Sequence, residues 1–386
     1  MAFLVFLALE SATLEGARRK IPLRIAVAGT RGKSGVARLI AAGLRESGAV
    51  VVAKTTGSRP VLIFPDGSEE EIPRAGMPSI REQVRTVRRA AAAGAGAVVA
   101  EMMSIGAECL RAESERILRP GILALTNVRL DHLDAMGRTR EDIAATLAGA
   151  IPEDGVVFFP AEEFYPAFGE AARRLRSRLS AAEGTSGGDV RLPFGEFEPN
   201  VRLALAVLES LGVGRETAVR GMGRAVPDFG SLRMWTVPLG PPSRAAVCVS
   251  AFAANDPESS AAVLARMREI VPAASGPLVG FLSLREDRGD RTLQWVRAAV
   301  DGFFGNFESV AVFGRPAPAA ARKMKKMLGR DIGKFSFFTD PEPAILMDFA
   351  ATSTVRDAVI IGFGNIVGPG EQIIRYWEER GRPFGR

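Results

Sequence analysis

The chain has 386 residues, 47% apolar and 24% charged, long enough for two domains with separate cores and of ordinary globular composition rather than disordered or fibrous. Its net charge of +6 is almost wholly arginine, with lysine only at 20, 33, 54, 323, 325, 326 and 334. That balance favours anionic partners without choosing among nucleic acid, acidic polymer and anionic lipid. Two cysteines, Cys109 and Cys248, build neither a disulfide framework nor a metal knuckle and read as small buried thiols in a reducing compartment.

In chain order, residues 1–20 begin with an apolar run, Met-Ala-Phe-Leu-Val-Phe-Leu-Ala-Leu, that stops at Glu10. It falls far short of the roughly 20 residues that span a bilayer, and it lacks the basic start and cleavage site of a signal peptide. A buried contact or a partial membrane foot are the two readings left. Residues 23–28 then form a short apolar strand running into Gly29-Thr30-Arg31-Gly32-Lys33-Ser34. Glycines at 29 and 32 let backbone N–H groups face an anion, and the helix that follows adds its positive end. Lys33 can reach the β- and γ-phosphates and Ser34 can ligate Mg²⁺. Val27 stands where the standard phosphate-loop pattern has glycine, so the loop is a shortened variant. Val36, Leu39, Ile40 and Leu44 make one helical stripe and Gly48 stops it.

Further strands are predicted near 50–54, 96–101, 121–127 and 155–160, with helices at 79–93, 139–150 and 199–211. A Gly- and Pro-rich seam follows at 227–243. Beyond it, strands at 245–250, 277–283, 308–313 and 357–361 alternate with helices at 257–270, 290–304, 316–328 and 341–351. Residues 180–190 read as a flexible loop. The alternation predicts α/β architecture: a phosphate-loop ATPase domain over 21–226, a linker over 227–243 and a smaller, doubly wound Rossmann-like domain over 244–386.

Ligands in such sheets sit at the carboxyl ends of the strands. Those ends carry Lys54-Thr55-Thr56-Gly57, Glu101, and Thr126-Asn127 leading to Asp131-His132-Leu133-Asp134. His132 is the only histidine. Between two carboxylates, it and Glu101 are candidate metal ligands, and Mg²⁺ needs few protein oxygens because it keeps several waters.

As an ordered set, Gly-Thr-Arg-Gly-Lys-Ser, Lys54-Thr-Thr-Gly, Glu101, Thr126-Asn127 with Asp131-His132-Leu133-Asp134-Ala-Met-Gly137, the helix from Asn200, Phe252-Ala-Ala-Asn255-Asp256 and Gly362-Phe-Gly-Asn365 resemble the Mur-ligase superfamily, in its poly-γ-glutamate synthase ligase branch. The resemblance covers nearly the whole chain. It implies a Mur-ligase-like fold and a ligase in which ATP turns a carboxylate into an acyl phosphate that an amine attacks. It also implies roles: Gly29, Thr30, Arg31, Gly32, Lys33 and Ser34 on phosphates, with Lys33, Glu101 and His132 at the chemistry. Ser34, Thr55, Glu101 and His132 would hold Mg²⁺, Asn200 the base and Arg233 a phosphate, while Asp256 stands in for a ribose-binding aspartate whose place is taken by Ser250. No lysine between 54 and 323 can supply the carbamylated metal bridge of many Mur ligases.

Only 28 residues precede the loop, too few for the uridine-nucleotide domain of the peptidoglycan Mur ligases. Glutamate and a poly-γ-glutamate chain are therefore the expected substrates, with membrane-protein partners at the inner face of the cell membrane, no nucleic acid, and a homo-oligomeric state left open. Arg59, Arg74, Arg81, Arg129, Arg285, Arg288 and Arg291 are candidate carboxylate clamps. The alternatives are a folylpolyglutamate-synthetase-like ligase and a phosphate-loop kinase or nucleotide switch.

Overall fold

The computed structural model describes residues 2–57, 60–74, 78–183, 190, 192, 196–228, 232–240, 244–271 and 276–384, with side chains from residue 9 onward. Arg59, residues 184–189 of the expected flexible loop and parts of the 227–243 stretch lie outside the described residues. Contacts divide the chain into two units, Met1–Phe229 and Gly230–Arg386.

The first unit runs α1 (Ala2–Arg19), β1 (Leu23–Ala28), α2 (Lys33–Glu46), β2 (Val51–Thr55), β3 (Val61–Ile63), β4 (Glu69–Glu71), α3 (Arg81–Ala92), β5 (Ala97–Glu101), α4 (Ala107–Arg111), β6 (Ile122–Leu125), α5 (Leu133–Met136), α6 (Arg140–Leu147), β7 (Val156–Pro160), α7 (Pro166–Arg174), β8 (Arg178–Ala182), α8 (Glu198–Ser210) and α9 (Arg215–Gly223). Among the described residues its sheet has eight strands in the order β4-β3-β2-β5-β1-β6-β7-β8. The pairs from β2 to β8 are parallel, and β3 and β4 add an antiparallel edge. Period-two alternation sorts side chains to opposite faces. Ile25 and Val27 join the core under α2, α8 and α9, while Ala26 and Ala28 join the core under α1, α3, α4 and α6.

The register sets the strand ends level. Val27 pairs with Glu101 and Ala28 with Leu125 across β1, and Lys54 pairs with Ala100. Central β1 lies between β5 and β6, the arrangement that opens a crevice at the carboxyl ends.

Helix α1 packs on α3 and buries Leu14 and Ala17, leaving Leu9 exposed. No helix among the described residues is long and apolar enough to cross a membrane. Residues 178–182, partly read as flexible loop, pair with β7 as strand β8. Cys248 is buried as expected, but Cys109 is exposed on short α4: that helix buries Leu110 instead.

The second unit runs β9 (Arg233–Pro238), β10 (Ala245–Ser250), α10 (Pro257–Ile270), β11 (Leu278–Ser283), α11 (Gly289–Val300), β12 (Ser309–Phe313), α12 (Ala317–Leu328), β13 (Phe335–Phe338), α13 (Pro343–Ser353), β14 (Ala358–Gly364), α14 (Pro369–Arg380) and β15 (Arg382–Pro383). Its sheet, in the order β13-β12-β11-β14-β10-β9-β15, is parallel except for β9 and β15. Strand β9 falls inside the stretch read as linker. Its alternating burial, with Trp235 and Val237 inward, was hidden by flanking glycine and proline.

Candidate active site

The 29–34 loop is shaped by its glycines and held from the side by β6. Gly29 has φ +128°, and a Cβ there would lie 2.1 Å from Thr126 Oγ1; Gly32, at φ +78°, takes the left-handed turn into α2. Neither position tolerates an ordinary side chain without strain. The Thr30 N–H donates to Asn127 O at 3.0 Å and its hydroxyl to Asn127 Oδ1 at 2.8 Å. Thr126 Oγ1 and Asn127 Nδ2 donate to Arg31 O at 2.6 and 3.1 Å. Thr126 and Asn127 thus fix the loop's shape, and Thr30 spends its hydroxyl on the scaffold.

Lys33 Nζ donates to Gly29 O at 2.9 Å and lies 3.4 Å from Thr30 O, so its charge arches over the loop. Ser34 Oγ donates to Glu101 Oε2 at 2.7 Å, and the same oxygen accepts the Thr56 N–H at 2.7 Å. The buried Glu101 carboxylate therefore ties together the loop, the end of β2 and the end of β5. Thr55 Oγ1, at the same strand end, is buried with no hydrogen-bond partner among the described residues. A hydroxyl, a carboxylate and an orphaned hydroxyl are hard oxygen donors of the kind Mg²⁺ takes beside phosphate oxygens and water, so these residues fit such an ion. No group of three or more His, Cys, Asp or Glu side chains converges among the described residues, so phosphate and water would have to complete the shell.

His132 begins α5 in a left-handed conformation, φ 49°, with its N–H on Asp131 Oδ1 at 2.8 Å and Nε2 3.8 Å from the same oxygen. Asp131 is buried and also meets Arg31 Nη2 at 3.2 Å. Asp131 so connects His132 to the 29–34 loop.

Asn200, in the first turn of α8, is buried, donates to Glu196 Oε1 at 2.8 Å and abuts Gly32, whose Cβ would stand 2.7 Å from Asn200 Nδ2. Sequence reading missed Glu196 and Asp228. A Cβ on Gly35 would lie 2.6 Å from Glu196 Oε2, and one on Gly57 would lie 3.1 Å from Ser34 Oγ and 3.5 Å from Asp228 Oδ2. Both carboxylates flank the start of α2. Burial pushes the Glu196 carboxyl above the usual range, against hydrogen bonds from Asn200 and Phe197, and the Asp228 charge adds to the rise. Glu196, between Gly195 and Phe197, and Asp228, after Pro227, gave no periodic signal that could have marked them.

Lys54 differs from Lys33. It is fully buried, 3.4 Å from Glu82 Oε2 and 3.5 Å from Met103 Sδ. Burial pushes its pKa down, against the pull of Glu82, Glu113 and Glu101. Most of the arginines read as clamps are engaged within the chain: Arg74 holds Glu82 through two bonds, Arg81 meets Glu10, Arg129 meets Glu163 and Arg285 grips Asp287.

In the second unit, Arg233 pairs with Glu378 and lies over Trp235. Asp256 caps α10, accepting from Ser259 N and Ser259 Oγ at 2.8 Å each, with buried Arg291 3.8 Å away.

A phosphate loop feeding a helix from the centre of a parallel sheet, with a carboxylate on its serine and a second doubly wound unit behind it in the chain, is the architecture of the Mur-type ligases. The Mur ligase middle domain profile matches residues 27–176, and the poly-gamma-glutamate synthase CapB C-terminal domain profile matches residues 236–380. The chain is 31% identical over 360 residues to PGA synthase CapB of Bacillus subtilis (strain 168), spanning 92% of this chain and 90% of that one. It is 33% identical over 282 residues to the capsule biosynthesis protein CapB of Bacillus anthracis, covering 72% and 60% respectively. The fold is similar to the bifunctional folylpolyglutamate synthase/dihydrofolate synthase of Yersinia pestis complexed with AMPPNP and Mn ion, at TM-score 0.70 and 16% identity over 92% of this chain and 89% of that one. The chain belongs to the poly-gamma-glutamate synthase CapB family. It is an ATP-dependent amide ligase, which removes the kinase and switch alternatives.

Proposed function

We propose that this ligase uses ATP and Mg²⁺ to activate a glutamate carboxylate and extend a poly-γ-glutamate chain, beside membrane-protein partners. The observation that carries the reading is the Ser34–Glu101 hydrogen bond at the start of α2, within a chain that shares family with a PGA synthase over nine-tenths of its length. Lys33 and the loop N–H groups hold the β- and γ-phosphates, and Ser34, Glu101 and Thr55 hold the ion, with His132 the remaining candidate ligand. The ion supplies neutralisation of charge on the transferred phosphoryl group. Asn200 is assigned to the base, and Arg233 and Asp256 to phosphate and ribose.

A substrate carboxylate oxygen attacks the γ-phosphorus and ADP leaves. The incoming amine nitrogen then attacks the acyl carbon, phosphate leaves, and the nitrogen loses a proton. The loop's contribution is position: phosphates held in line with the carboxylate by donors that need no reorganisation.

The test is ADP release measured across candidate amino acids, with mass spectrometry of the product. Glutamate-dependent release with a γ-linked ladder is expected. Release that depends on a folate acceptor, with no glutamate polymer, would replace this reading with the folylpolyglutamate-synthetase one.

A further inference from the structure

A polar cavity lies in the first unit, along the body of α2 rather than at its start. It measures about 250 Å³ and is walled by α2, the β3–β4 hairpin and α9. Arg38 and Arg45, two turns apart on α2, both line it, with Arg224 just past the end of α9. The acidic groups on its wall are engaged. Glu69 is held by Arg38, Glu46 accepts from Arg220 and Arg224 at 2.8 and 2.7 Å, and Asp66 accepts from Ser68 at 2.6 and 2.9 Å.

Arg45 is the exception. Its Nη1 is shut off from solvent and has no hydrogen-bond acceptor among the described residues. Burial pushes its pKa down, and the Arg38 charge pushes it further, with only partial relief from Glu69 and Asp66. An Nη1 group buried without an acceptor is a standing cost to the fold, and a costly polar group on a side chain that lines a cavity marks a place shaped for a ligand rather than for stability. The planar fork of Arg45 fits a carboxylate or phosphate group.

We propose that this cleft is a binding site for an oxyanion, carboxylate or phosphate, with Arg45 as its recognising group. Helix α2 joins the cleft to the phosphate loop, and Arg38 also reaches Asp228 at 3.6 Å beside Gly57. The proposal does not depend on the identity of the ligase's substrate.

The experiment is calorimetric titration of the full chain with inorganic phosphate and, separately, with γ-linked triglutamate, for the wild type, Arg45→Met, Arg45→Lys and Lys33→Ala. For at least one probe, Arg45→Met should bind roughly tenfold more weakly, the loss of one charge-assisted hydrogen bond. Arg45→Lys should retain part of the affinity and Lys33→Ala all of it. Which probe responds tells a free phosphate from an acidic chain. Without probe, Arg45→Met should melt no lower than the wild type, because the desolvated charge is gone, and its ADP release should be unchanged. Wild-type affinity of Arg45→Met for both probes would overturn the proposal. So would a melting temperature well below wild type, which would mark a structural guanidinium.

Discussion

The two units share a doubly wound plan and differ in what fills it. In the first, the cores are small and aliphatic, and charge is carried inside: Lys54, Glu101, Glu113 and Asp131 are all at most 5% exposed. In the second, the core is aromatic. Trp377 stacks on Phe252 and Phe281 with centroids 6.0 and 6.2 Å apart, and Trp295 stacks on Phe363 at 5.3 Å. The strand ends of β10 and β11 offer serines, Ser250 and Ser283. Charge is costly to bury and is kept where chemistry needs it. Under the proposed reading the contrast gives the first unit the larger catalytic load and the second, where Asp256 and Arg291 are also buried, a packing load.

The sharpest way to break that comparison is to damage each interior in its own terms. Trp377→Ala should cost about 3–5 kcal/mol, read by denaturant unfolding, with loop residues unaffected in nucleotide binding. Lys54→Met should cost less, about 1–3 kcal/mol, because buried Glu82 loses one of its two cations and keeps Arg74. The two differ with pH. The lowered pKa of Lys54 means that folded protein releases its proton before the unfolded chain does at 10.5, so wild-type stability should gain from this group as pH rises from the lowered value toward 10.5. Lys54→Met should lack that gain and Trp377→Ala should keep it. Equal pH profiles would erase the distinction between the units.

What the sequence made legible follows the same divide between local and distant. The path from β1 through the loop to α2 could be read because strand, glycines, Lys33 and Ser34 are contiguous, and Glu101 because it ends an apolar strand. The β3–β4 hairpin could not: its strands have three residues each and β4 is Glu69-Glu70-Glu71, with no apolar residue to mark a strand. Nor could the pairing of Lys54 with Glu82, or of Arg38 with Glu69 and Asp228, since side chains 28 to 190 positions apart in sequence meet only through the fold. The intrachain carboxylate partners of Arg74, Arg81, Arg129 and Arg285 were hidden for the same reason.

A second test concerns the loop. Lys33→Ala should lower ADP release by on the order of a hundred- to a thousandfold, the scale of one preorganised charge donor, with unfolding unchanged within about 0.5 kcal/mol at an incompletely buried position. Glu101→Gln keeps the size of the side chain and an acceptor oxygen for Ser34 and Thr56 while removing the charge. It should raise the Mg²⁺ concentration needed for half-maximal rate more than it alters stability. A Glu101→Gln enzyme with a wild-type Mg²⁺ requirement would take the carboxylate out of the metal site.

The smallest effect concerns Asp256, where the two loads meet in one side chain. Its carboxylate caps α10 through Ser259 N, a role that alone accounts for its burial, and it is also the proposed ribose contact. Asp256→Ala removes both and should cost about 1 kcal/mol of stability, the usual value of an N-cap. Asp256→Asn separates them, because asparagine caps nearly as well as aspartate but carries no charge toward Arg291 or a ribose hydroxyl. If Asp256 serves the fold only, Asp256→Asn should keep the wild-type ADP affinity, with any loss of stability coming from Arg291. If it also contacts the nucleotide, ADP affinity should fall severalfold, and the second unit would then carry part of the catalytic load as well as its aromatic core.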